Sequence, residues 1–193
     1  MSAVAENNPL TSMSLEELWV LFSISLVAPR EGWMRQYDEM EERLLRILHD
    51  IEGLRISHIG STAIEGIWSK DIVDILIEVD ADEDLEAVSE ELERQGFICM
   101  KSEPGRISLN YGYTPQGFAE KVYHVHLRYR GDDDELYFRD YLNDRPDIAQ
   151  EYQELKLTLW KQYEHDRDAY TEEKAAFVKK YTAEARRAYG ERY

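Results

Sequence analysis

The sequence predicts an α+β protein: a mixed β-sheet with flanking helices and a C-terminal helical extension. Three observations carry this. Ile72 to Val79 is a run dominated by β-branched and aliphatic residues, the mark of a buried strand. Arg106–Tyr113 and Val122–Tyr129 alternate apolar and polar residues with a period of two, as antiparallel strands with one packed and one open face do. From Asp134 onward, apolar residues recur every three or four positions, which is the helical period.

Taken in order, residues 1–12 are expected to be loose. A helix then starts at Ser14, which with Glu17 three residues on makes a capping box, and its stripe is Leu15, Leu18, Trp19 and Phe22. Ile24–Val27 is expected as an edge strand stopped by Pro29. Trp33, Tyr37, Met40, Leu44 and Ile47 or Leu48 space out the next helix, with Gly53 beyond its end. Ile56–Ile59 reads as a short strand, broken by the small turn Gly60-Ser61-Thr62. After the Ile72–Val79 strand, Asp82 is expected to cap a helix burying Leu85, Val88 and Leu92 and stopping at Gly96. Phe97–Lys101 is a strand and Pro104-Gly105 a turn. A loop over Thr114–Lys121 is expected to join the two alternating strands.

The C-terminal third divides into three helices. Leu136, Phe138, Tyr141 and Leu142 mark the first. Pro146 suits the first turn of the second, whose stripe is Ile148, Tyr152, Leu155, Leu159 and Tyr163. Tyr170, Phe177, Val178, Tyr181 and Ala185 mark the third. The division expected is therefore a loose segment at 1–12, a sheet domain at 13–130 and a helical region at 131–193 packed on it. The same stripes would also suit an arm that faces another chain.

Composition narrows the function. A net charge of −17 argues against an extended nucleic-acid surface, which needs clustered Lys and Arg. At 43% hydrophobic, with 13 Tyr and 4 Trp, the chain has the material for a core and is not an acidic tail. Its single cysteine, Cys99, sits among apolar neighbours and reads as an inert thiol. The longest apolar run, Leu18–Ala28, is too short for a membrane span of about 20 residues. The expectation is a soluble cytoplasmic protein, with its oligomeric state open.

The candidate site lies on the polar face of the sheet. Asp74 and Glu78 would come from one strand, Arg106, Ser108 and Asn110 from another, and His124, His126 and Arg128 from a third, with Lys70 entering just before Asp74. Gly60 lets backbone N–H groups approach an anion, and Ser61 and Thr62 add hydroxyl donors. Histidines two apart on a strand lie about 7 Å from each other, close enough to share a metal or a phosphate. A two-metal site would want a second carboxylate two positions beyond Asp74, but Leu76 stands there, and Glu78 is about 13 Å away along the strand.

These residues resemble the GrpB family of the nucleotidyltransferase superfamily. The resemblance rests on His58-Ile59-Gly60-Ser61-Thr62-Ala63, Lys70 and Ile72-Val73-Asp74-Ile75. It continues through His124-Val125-His126, Phe138-Arg139-Asp140-Tyr141-Leu142, Tyr152…Leu155-Lys156 and Tyr170…Lys174…Phe177, and covers roughly residues 24–185. It implies a nucleotidyltransferase-like mixed sheet, a Gly-Ser turn that holds a triphosphate, and carboxylates that hold a divalent ion, Mg²⁺ or Mn²⁺. Gly60, Ser61 and Asp74 match those positions, while Leu76 departs from the second carboxylate. The expected activity is transfer of a nucleotidyl group from an NTP to an acceptor, with Gly60, Ser61 and Lys70 holding phosphates; the expected ligand is an NTP or another phosphorylated small molecule. Asp74 with His124 or His126 would hold the metal, and Arg106 or Arg128 would touch the leaving pyrophosphate. Two other functions compete: a nucleotide-sensing module that has lost catalysis, and a metal-dependent phosphoester hydrolase built on the histidine pair.

Overall fold

The computed structural model describes residues 12–193, apart from the side chain of Leu15. The loose N-terminal segment expected at 1–12 therefore lies outside the described residues except for Ser12, as does the Leu15 member of the first stripe. Helix α1, Leu15–Leu21, begins with the anticipated capping box: Glu17 N–H donates to the Ser14 hydroxyl at 3.2 Å, and Ser14 N–H to the Glu17 carboxylate at 2.8 Å. Strand β1 is only Leu26–Val27, paired antiparallel with β3, Ser69–Lys70. It is shorter than the expected edge strand, because Ile24 N–H instead bonds the Glu164 carbonyl and Ile24 packs on Leu159 and Tyr170.

The main sheet has five strands in the order β2-β4-β7-β6-β5. These are β2 Arg55–Ile59, β4 Val73–Val79, β5 Ile98–Glu103, β6 Arg106–Thr114 and β7 Gly117–Tyr129. Only β4 and β7 pair parallel, so the sheet is mixed, as expected. The period of two places Val73, Ile75, Ile77, Val125 and Leu127 on one face. That face packs on Trp33, Tyr37, Met40 and Leu44 of α2 (Gly32–Ile47) and on Leu85, Val88 and Leu92 of α3 (Leu85–Arg94). Helix α3 is capped by Asp84, which accepts from the N–H groups of Glu86 and Ala87, and not by Asp82. Asp84 sits one residue before the first buried leucine, the place from which a cap oxygen reaches the first-turn donors.

The expected loop at Thr114–Lys121 is a tight hairpin instead. Thr114 pairs with Gly117, and Thr114 Oγ1 donates to the Gly117 carbonyl at 2.8 Å. The alternation that marks a strand is lost there because Phe118, Ala119 and Glu120 are exposed. The register slips between Tyr111 and Tyr113, where Gly112 (φ +88°) lies so close to the Lys121 carbonyl that a Cβ would overlap it.

The second sheet face carries Asp74, Leu76 and Glu78 in register with His124, His126 and Arg128. It is not open along its length, as alternation suggested. Three helices, α4 Asp134–Asn143, α5 Pro146–Gln162 and α6 Arg167–Tyr189, lie over that side, and Leu136 of α4 packs on Ile59 and Leu76. Glu78 is consequently fully buried and is met by a two-pronged bond from Arg55, Nε and Nη2 each 2.5 Å from a carboxylate oxygen. The segment between Ser61 and β3 is clamped by the same helices. Asn143 donates to the Ala63 carbonyl and accepts from Glu65 N–H, while Gln153 accepts from Trp68 N–H.

Candidate functional site: a cationic cleft above Asp74

Strand β2 runs into Gly60, whose φ of +71° and ψ of −171° are open essentially to glycine alone. A Cβ at this position would overlap the Asp74 carboxylate, so the missing side chain brings the turn down onto the acid. A single 3-10 turn, Ser61–Ala63, follows and leaves the N–H groups at its start outside its own hydrogen bonds. Across a cleft of about 860 Å³, Gly60, Ser61, Lys70, Asp74, His124 and His126 face residues of α5 and α6.

Asp74 is the one carboxylate at the centre. His124 Nδ1 is 3.1 Å and His126 Nε2 3.7 Å from its Oδ1. Burial alone would raise its carboxyl, but the bonds from His124 and His126 outweigh that and hold it well below the usual carboxylate range. An ionised carboxylate only accepts, so His124 Nδ1 carries the proton, and His124 Nε2 accepts from the Tyr113 hydroxyl at 2.8 Å. Tyr113 in turn accepts from Arg167 Nη2 at 3.2 Å. His126 Nδ1 faces Arg128 Nη2 at 3.4 Å, which leaves its Nε2–H for Asp74. Burial lowers the His124 pKa, consistent with a neutral ring.

This arrangement bears on the expected divalent ion. Both nitrogens of His124 are committed, and both rings turn a proton toward Asp74, whereas a metal ligand must offer a lone pair. Among the described residues no group of three or more His, Cys, Asp or Glu is arranged to hold a metal. The place of a second carboxylate is taken by Leu76, which is fully buried. The residues present do not fit a metal held by Asp74 and the histidine pair.

What surrounds Asp74 is positive charge. Lys70 of β3, Lys156 of α5, and Arg167 and Lys174 of α6 all line the cleft, and among the described residues none has a carboxylate within ion-pair distance. Aromatic rings hold them instead. Lys174 Nζ is 4.5 Å and Lys70 Nζ 5.7 Å from the Tyr170 ring centroid, and Lys156 Nζ is 4.8 Å from that of Tyr152. Lys156, almost wholly buried, also donates to the Trp68 carbonyl. Burial, with repulsion from Lys174 and Arg167, brings Lys70 down to about 7. Burial likewise brings Lys174 to about 8 and puts Lys156 well below its ordinary value. Tyr152 interacts with Ser61 and is pushed up to about 12 by burial.

The other expected site residues fall elsewhere. Thr62 follows Ser61 in a 3-10 turn, where successive side chains diverge by about 120°; its hydroxyl bonds His58 Nε2 at 2.9 Å on the far side of the turn. Arg106 reaches the rim of the cleft but is held two-pronged by Asp132, at 2.7 and 2.5 Å. Arg128 is buried and donates to the carbonyls of Ile107 and Leu127. Cys99 is half-buried, with its thiol pushed up mainly by burial. Lys156, Lys174 and Arg167 were not foreseen as site residues. The signal was present as Tyr-x-x-x-Lys, found both at Tyr152/Lys156 and at Tyr170/Lys174, because a spacing of four sets a lysine beside a ring on one helix face.

Fold and site together define an α+β protein whose mixed sheet carries, under a helical cover, a cationic cleft centred on a single carboxylate. Residues 23–184 match the GrpB protein family. The glutamate-rich protein GrpB of Alkalihalophilus pseudofirmus is 34% identical over 164 residues, an alignment that covers 80% of this chain and 91% of that one. The UPF0157 protein YqkA of Bacillus subtilis is 32% identical over 178 residues, covering 91% of this chain but 51% of YqkA, so the chain spans about half the length of that relative. The crystal structure of the conserved protein GrpB from Enterococcus faecalis superposes with a TM-score of 0.73 at 30% identity, over 86% of this chain and all of that one. The chain belongs to the GrpB family. No helix among the described residues is long and apolar enough to cross a membrane.

Proposed function

We propose that this protein binds the phosphate groups of a nucleoside triphosphate, or of a similar phosphorylated small molecule, in the cleft above Asp74. The observation that carries this reading is the set of four cations, Lys70, Lys156, Arg167 and Lys174, without carboxylate partners in a chain of net charge −17. Asp74 offsets the lysine charges only in part, and the phosphates of a ligand would offset the rest. The Gly60-Ser61 turn adds a hydroxyl and backbone donors opposite them.

A second reading is nucleotidyl transfer to an acceptor. It is favoured by the strongly ionised Asp74 directly under that turn. In this reading the lysines would meet the charge that develops on the leaving pyrophosphate, and His124 and His126 would hold Asp74 in place. The histidine-metal hydrolase draws no support from rings whose protons face the carboxylate.

Calorimetry with tripolyphosphate and NTPs, with EDTA and with Mg²⁺ or Mn²⁺, tests the first reading. Binding in EDTA is expected, and Ser61→Ala should weaken it by about 1–3 kcal/mol, the range for a hydrogen bond to a charged group. No binding under any of these conditions would refute it. Release of pyrophosphate from an NTP, lost in Asp74→Asn with binding kept, would establish transfer.

A further inference from the structure

At its histidine end the cleft opens into a second pocket of about 530 Å³, and His124, His126, Arg167 and Asp168 line both. The second pocket has a different chemistry. Trp19 of α1, Phe22 just beyond its end, Met100 of β5 and Tyr113 of β6 form its walls. Phe22 and Tyr113 lie against each other with centroids 4.7 Å apart, and the Tyr113 ring is 6.0 Å from that of His124. Met100 is 57% exposed, a large apolar side chain left at the rim. Beyond the shared end no charged side chain lines this pocket.

Ser108 and Asn110 of β6 also line it. Asn110 shares the Asp74 face of the sheet and pairs across the strands with His124. It is 9% exposed and lines the pocket. A primary amide offers a donor and an acceptor side by side. Aromatic faces and a thioether suit a flat ring, and an amide at the floor suits a ring with both kinds of group along its edge.

We propose that this pocket binds an uncharged, planar heteroaromatic ring of the nucleobase class, stacked among Trp19, Phe22 and Tyr113, with its edge read by the Asn110 amide. The inference rests on the phosphate reading of the adjoining cleft, since the shared residues make the two one continuous site. The ring belongs either to the nucleotide whose phosphates occupy that cleft or to a second substrate brought beside it.

The test is equilibrium binding to the full chain by calorimetry, with tripolyphosphate, the four NTPs and the four ribonucleosides as probes. Either of two results is expected in the wild type. At least one NTP binds about tenfold tighter than tripolyphosphate, the order that one stacked base adds, or a nucleoside binds while tripolyphosphate saturates the cleft. Asn110→Ala and Trp19→Ala should each remove that ring-dependent binding and leave tripolyphosphate affinity unchanged, which also reports an intact fold. An NTP that displaces the nucleoside assigns the ring to the nucleotide, and simultaneous binding assigns it to a second substrate. If nucleosides bind through Asn110 while tripolyphosphate does not, the ring pocket stands and the phosphate reading falls. The proposal is overturned if no nucleoside binds and all NTPs match tripolyphosphate, or if both variants keep the wild-type preference.

Discussion

Replacing Lys70 with methionine removes a charge that the folded chain holds at a cost, while keeping an unbranched side chain of similar length. Burial first, then Lys174 and Arg167, bring this ammonium from 10.5 down to about 7. At about 1.36 kcal/mol per pKa unit, the charged form weighs against the folded state by at most about 5 kcal/mol. Below pH 7 both the folded and the unfolded chain carry the proton, and the cost is fully present. Between about 7 and 10.5 the unfolded chain binds more protons than the folded one, so wild-type stability rises with pH as the cost is relieved. Lys70→Met should therefore be the more stable protein at pH 6, with an advantage that shrinks steadily toward pH 10.

The assay is urea unfolding of both proteins from pH 6 to pH 9.5, with and without tripolyphosphate. The ligand should reverse the order at pH 6, because it stabilises only as far as it binds and Lys70 is one of its cations. A variant less stable than wild type at every pH, or a gap that does not change with pH, would refute the reasoning. Either result would mean that Lys70 is compensated within the chain and does not await an anion.

Three further outcomes follow from other parts of the molecule. Burial lowers the His58 pKa to about 4, so wild-type stability should fall by about 3 kcal/mol as pH drops from 6.5 to 4; His58→Phe, which keeps the stack on Tyr37, should lack that loss in acid unfolding curves. Arg55→Ala strands the fully buried Glu78 and should cost about 3–5 kcal/mol in urea unfolding. Gly60→Ala puts a side chain where φ is +71° and Asp74 is in the way; it should cost about 1–3 kcal/mol or more and shift the His124 imidazole resonances.

The parts of this molecule that were legible in the sequence are those where a local period decides the structure. Val73, Ile75 and Ile77 could only face one way once Asp74 and Glu78 faced the other, and the same alternation aligned Asn110, His124 and Asp74 on one face. What the period does not give is position along that face. Arg128 was correctly placed on the side of Asp74, yet it is four positions beyond His124, where it is buried and bonds backbone. Thr62 bonds His58 and parts from Ser61, because adjacency in a tight turn separates side chains instead of gathering them. Lys156, Arg167 and Lys174 were missed for a different reason. They reach the site from helices distant in sequence, and on an amphipathic helix a lysine reads by default as solvent-facing.

The absent second carboxylate and the gathered lysines follow from one packing decision. Leu76 stands two residues beyond Asp74 on the same face, opposite His126, and is sealed by Ile59 and Leu136. An acid in its place would be fully buried, and the neighbouring Arg55 is already bound to Glu78. The α4 helix that seals Leu76 is also the anchor for α5 and α6, through Leu142, Tyr152, Tyr181 and Ala185 in one apolar cluster. Those two helices carry Lys156, Arg167 and Lys174 over the Gly60-Ser61 turn. Covering the sheet thus leaves an apolar residue two positions beyond Asp74 and, by the same contact, brings Lys156, Arg167 and Lys174 to the cleft above it.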